Sequence, residues 1–138
     1  MSRGAAQERY RQLRRRAFEA AEDRLRGVPG LSGLDFELFQ ATDRPLSVQQ
    51  DYIPNWVPHG GRKVQWDWMR ILDRLGPAAD PAAFTLAVSS GSKLCALAAG
   101  RPSRSRSHMA LHFVEGAPGP AHPLRGFVLP IVLEAITA

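Results

Sequence analysis

Two apolar runs, 84–89 and 93–100, are separated by Ser90-Gly91-Ser92, and that punctuation constrains the fold more than any other stretch of the chain. Small residues around a glycine join adjacent strands through a tight turn, so the two runs are expected to pair antiparallel. A third run follows at 108–115, with Met109, Leu111 and Phe113 expected on one face and His108, Ala110 and His112 on the other. Strands joined this way make an antiparallel sheet the economical arrangement.

The rest of the chain supplies helices and one more strand. Residues 5–26 carry Tyr10, Leu13, Ala17, Ala20, Ala21 and Leu25 on a shared face with Phe18 at its margin, and Gly27, Pro29 and Gly30 end that helix. Leu34, Phe36 and Leu38 alternate with Asp35 and Glu37 as a strand does. Thr42-Asp43-Arg44-Pro45 opens a short helix that Pro54 is expected to stop. A helix over 63–75 places Val64, Trp68, Ile71, Leu72 and Leu75 together, and a last one opens at Pro123 or Leu124. The expected class is α+β: a mostly antiparallel sheet of about four strands with helices packed on it. A basic N-terminal helix within 1–30 precedes a single domain over 31–138.

A chain of 138 residues with 44% hydrophobic and 22% charged content can bury a real core as one folded unit. No apolar run is long enough for a membrane span, and no secretory leader is visible at the start. The single cysteine, Cys95, lies among Leu94, Ala96 and Leu97, which excludes an internal disulfide framework and fits a cytoplasmic protein. Its expected role is that of a small buried hydrophobe, because no basic neighbour is at hand to lower its pKa.

The formal net charge is +5, and of eighteen basic residues all but Lys63 and Lys93 are arginine, the side chain suited to forking phosphates and carboxylates. Arg14, Arg15 and Arg16 stand in a row in the first helix, outnumbering their local acidic partners. Arg101, Arg104 and Arg106 alternate with serine and proline in a segment, 81–114, that contains no acid at all. Both groups are candidates for partner contact, with nucleic acid or an acidic protein surface as the expected chemistry. Trp66 and Trp68 diverge if both are helical, so one is expected in the core and Trp66 half exposed, either as core or rim packing or as an interface anchor. His108 and His112 stand about 13 Å apart along an extended strand, too far to share a metal, and no metal site is expected. Glu115 ends the third strand without a paired nucleophile or second acid, so no catalytic residue is assigned.

The order of elements from residue 34 onward resembles the first half of the GNAT acetyltransferase superfamily. The specific echo is His122-Pro123-Leu124-Arg125-Gly126 after the third strand of the set, where that superfamily often carries His-Pro-x-x-Arg-Gly-x-Gly-x-Gly. The resemblance implies a truncated acetyltransferase-like fold in which Arg125 and Gly126 border the pyrophosphate of acetyl-CoA at a helix N-terminus. Val128 and Pro130 stand where the later glycines would be: the first adds bulk, and the second removes an amide donor. With the helix opening at Pro123 or Leu124, Pro130 falls inside it and is expected to kink it. The superfamily's C-terminal half is missing, so the strand at 108–115 is expected to present an open edge, covered by the first helix, by a partner or by a second copy in a homodimer.

The expected function is therefore binding without chemistry. The concrete version is a small inhibitor from a phage or mobile element, anti-CRISPR-like, acting on a host protein or nucleoprotein complex. The alternatives are an acyl-CoA-dependent N-acetyltransferase and a basic nucleic-acid-binding protein. No cofactor is expected unless the family activity survives, in which case it is acetyl-CoA. No membrane partner is expected.

Overall fold

A computed structural model describes residues 3–76, 82–103, 109–119 and 122–137. Arg104, Arg106 and His108 lie outside the described residues. The elements run α1 (Arg3–Leu25), β1 (Glu37–Gln40), a short 3₁₀ turn (Ala41–Asp43), α2 (Pro45–Asn55), α3 (Trp68–Leu75), β2 (Phe84–Ser90), β3 (Lys93–Pro102), β4 (Met109–Gly116) and α4 (Val128–Thr137). The class is α+β, as expected, with a four-stranded antiparallel sheet in the order β1-β2-β3-β4.

The sheet is covered on both faces. On one side α1 and α4 bring Phe18, Leu25, Ile131 and Val132 against Phe36, Leu38, Leu86 and Val88. On the other, α2 and α3 bring Tyr52, Trp56, Trp68 and Leu72 against Ala87, Leu97 and Ala99. Burial on both faces explains why 84–88 and 94–100 read as nearly unbroken apolar runs instead of alternating. Gly91 at φ 60° turns the hairpin between β2 and β3. Among the described residues no helix is long and apolar enough to cross a membrane.

Four local expectations are corrected. The buried stripe of α1 is Phe18, Ala21 and Leu25, with Leu13 46% exposed, so Phe18 is central to that face and not marginal. The bulk of Phe18 and Leu25 sets how the helix rolls onto the sheet, and the smaller alanines follow. The helix α2 runs through Pro54 to Asn55, one residue beyond the expected stop. The helix α3 starts at Trp68 and not near Lys63, because the Asp67 side chain accepts the Arg70 amide at 3.3 Å and caps it there. The last helix likewise begins at Val128 and not at Pro123 or Leu124, so Pro130 sits in its first turn. A first-turn amide has no helical partner to lose, and the expected kink is not needed.

The third strand also departs from simple alternation. Ala99 pairs with Phe113 and Gly100 with Leu111, so His112 is an extra residue at a bulge. Met109 and Leu111 consequently pack on the α1/α4 face while Phe113 packs on the α2/α3 face. Gly100 permits this crossing: a Cβ there would stand 2.0 Å from the Ala110 carbonyl oxygen. β4 pairs with β3 alone among the described residues, and α1 packs against β1 and α4.

Candidate functional site

The most organised polar site is built where β4 ends. Arg62, in the loop after α2, reaches across to Glu115: its Nε donates to Oε2 at 2.8 Å and its Nη2 to Oε1 at 3.0 Å. Trp68 Nε1 donates to the same Oε1 at 2.8 Å. The Tyr52 hydroxyl accepts the Trp68 amide at 3.1 Å and donates to the Trp66 carbonyl at 3.0 Å, and Arg62 Nη2 donates to that carbonyl at 2.7 Å. Both charged side chains are nearly sealed from solvent, at 3% and 7% exposure. Glu115 holds the Arg62 guanidinium above its ordinary pKa through these hydrogen bonds. Glu115, which has no paired group by sequence, thus acquires in Arg62 a partner that local spacing does not reveal.

Above this pair lies a cleft of about 640 Å³ lined by His59, Lys63 and their neighbours in the loop after α2, by residues 114–119, and by His122 and Arg125. Its one carboxylate among the described lining residues, Glu115, is already committed to Arg62. Lys63 and Arg125 therefore face the cleft without an acidic partner among the described residues. His59 Nδ1 accepts the Gly61 amide at 2.8 Å, which leaves its Nε2 as the proton carrier. His122 is 7% exposed, and its Nδ1 finds no hydrogen-bond partner among the described residues. Burial lowers the pKa of His122 most, with Lys93 and Arg125 adding to the effect, so the imidazole is neutral near pH 7.

No family model, no curated protein and no solved structure matches this chain. The site therefore has to be read from its own chemistry.

The residues expected to bind are placed unequally. Arg125 lines the cleft, and Gly126 follows it at φ 88°, a conformation that leads the chain into α4 and that a side chain would oppose. Of the three consecutive arginines in α1, Arg14 turns inward: its Nη2 donates to the Ala82 carbonyl at 2.7 Å and its guanidinium lies 5.9 Å from the Phe84 ring. Burial pulls its pKa down. Arg15 sits 3.8 Å from Asp43, and Arg16 is exposed. Trp66 is half buried, but it does not diverge from Trp68: the two rings meet edge to face at 6.1 Å, and Trp66 stands 5.1 Å from Phe113. The late start of α3 is the reason: Trp66 precedes the helix, so the divergence of two helical positions does not apply to it. Arg101 is exposed near the end of β3. Cys95 is fully buried, and burial pushes its thiol pKa up, as a packed hydrophobe requires.

Sequence reasoning missed Arg62, Lys63 and His122 as site residues. Only the last stood inside a recognised motif. Among the described residues no group of three His, Cys, Asp or Glu side chains is placed to hold a metal.

Proposed function

We propose that this protein works by binding, and that the cleft at the end of β4 receives an anionic group. The observation that carries this is the charge balance of the cleft: Arg62 and Glu115 cancel, and Lys63 and Arg125 are left over. A phosphate or carboxylate entering there would gain two cationic contacts and the His59 Nε2 donor. Glu115, held by three donors at hydrogen-bond distance, is an occupied acceptor and a poor general base, which favours binding over proton-transfer chemistry. The wider setting proposed is the one its size and charge suggest, a small inhibitor of a host protein or nucleoprotein complex, of the anti-CRISPR kind.

A second reading is favoured by one feature. Arg125, which the resemblance to acetyltransferases would place at the acyl-CoA pyrophosphate, does line the cleft, with α4 beginning just after Gly126. Under it the anionic ligand is acetyl-CoA.

Calorimetric titration with pyrophosphate and with acetyl-CoA tests both. Saturable heat that weakens about tenfold or more in Lys63→Gln/Arg125→Gln is expected. Acetyl-CoA binding tighter than pyrophosphate selects the second reading; a flat titration with both removes the cleft from the account.

A further inference from the structure

We infer that a separate groove, formed by α3 and the bulged stretch of β4, binds single-stranded nucleic acid. It encloses about 390 Å³ and shares no lining residue with the cleft described above. Arg70 and Arg74, four residues apart on α3, and Arg101 from β3 converge on it, and all three are exposed. None has an acidic partner among the described residues. The groove's one carboxylate, Asp67, is engaged in capping α3 through the Arg70 amide. Two like charges at helical i, i+4 spacing repel each other, so the pair is costly until an anion lies between them.

Ile71, Leu75 and Phe113 add an apolar, partly aromatic wall to those cations. Phe113 is itself braced edge-on by Trp66 at 5.1 Å and Trp68 at 6.3 Å, which fixes its ring as a platform. Guanidinium forks interleaved with an aromatic surface suit a strand whose phosphates and unstacked bases alternate. A duplex buries its base faces and can use only the arginines. An acidic peptide would satisfy the charges but supplies no flat ring for the Phe113 platform. The bulge is what assembles the groove: it turns Phe113 onto the α3 side and leaves His112 exposed at the rim.

The test is fluorescence anisotropy with a labelled oligothymidylate of about 12 nucleotides, within the usual footprint of such grooves. Three phosphate contacts predict that log affinity falls with log salt at a slope of about −2. Arg70→Gln/Arg74→Gln should weaken binding about tenfold or more and flatten that slope, with unchanged circular dichroism confirming the fold. Arg3→Gln/Arg9→Gln removes the same charge from α1 and should change affinity by less than about twofold. Phe113→Leu keeps the wall apolar and should weaken the single strand while leaving duplex binding unchanged. Equal losses in the two double-arginine variants, equal affinity for duplex, or displacement by polyglutamate as effective as by oligonucleotide would each overturn the assignment. Lys63→Gln/Arg125→Gln should leave oligonucleotide binding intact, so failure of the anion cleft and failure of this groove are separable.

Discussion

Arg62 and Glu115, 53 residues apart in the chain, form a two-pronged ion pair at 2.8 and 3.0 Å that ties the loop after α2 to the end of β4. It is the only ion pair among the described residues with both side chains under a tenth exposed. The exposed pairs on α1 contribute little by comparison, since solvent screens them.

Breaking this pair from one side should be costly. Arg62→Met leaves a buried carboxylate with one indole donor, and a loss of about 3–5 kcal/mol in urea unfolding is expected. The double variant Arg62→Met/Glu115→Leu should recover much of that loss, because no charge is then stranded. A single-variant loss under about 1 kcal/mol would show that water reaches the site.

Acid should destabilise the fold through His122. Its pKa is lowered in the folded protein by burial, then by Lys93 and Arg125, from an ordinary 6.5. The unfolded chain therefore binds the proton more readily. The stability that the neutral imidazole maintains is present above about pH 6.5 and is lost as pH falls through the lower, folded-state value. Unfolding curves of His122→Phe should lack that acid-side slope; an unchanged pH profile would remove His122 as its source.

Anions should oppose that loss. Pyrophosphate binding to the folded state alone should raise Tm, by the equivalent of about 2.7 kcal/mol at a hundredfold excess over its Kd. Lys63→Gln/Arg125→Gln should show no such rise. Chloride raising Tm as much as pyrophosphate at equal ionic strength would point to screening and not to a site.

The β4 bulge should be intolerant of a side chain at Gly100. A Cβ there stands 2.0 Å from the Ala110 carbonyl oxygen and 2.7 Å from a Phe84 ring carbon, so strands β3 and β4 must separate. Gly100→Ala is expected to cost about 1–3 kcal/mol or more. Gly33→Ala, with nothing within 4 Å, serves as the near-neutral control in the same denaturation series.

Much of the architecture was legible because it is encoded locally. Ser90-Gly91-Ser92 announced the β2–β3 hairpin, and Gly27, Pro29 and Gly30 announced the end of α1. The start of α3 was not legible. Val64 and Trp68 fit a helical face, yet the helix opens only at the Asp67 cap, next to the Trp66 carbonyl that Tyr52 and Arg62 hold from 14 and 4 residues away in the chain. The residue count of 108–115 did not disclose the bulge, since an extra residue on one strand is defined by its partner. Of the candidate binding residues, Arg125 and Arg101 were found in clefts, while Arg14 was found committed to the Ala82 carbonyl.

Local chemistry alone thus determined the antiparallel sheet, the helices around it, the buried Cys95 and the excess of arginine. Those properties depend on neighbours a few residues away. Tertiary structure decided which charges remain available. Arg62 and Glu115 find each other across 53 residues and cancel, and Lys63, Arg125, Arg70, Arg74 and Arg101 are left facing two separate clefts. Charge is carried by each residue, but its neutralisation depends on distance in space, and the folded chain sets that distance.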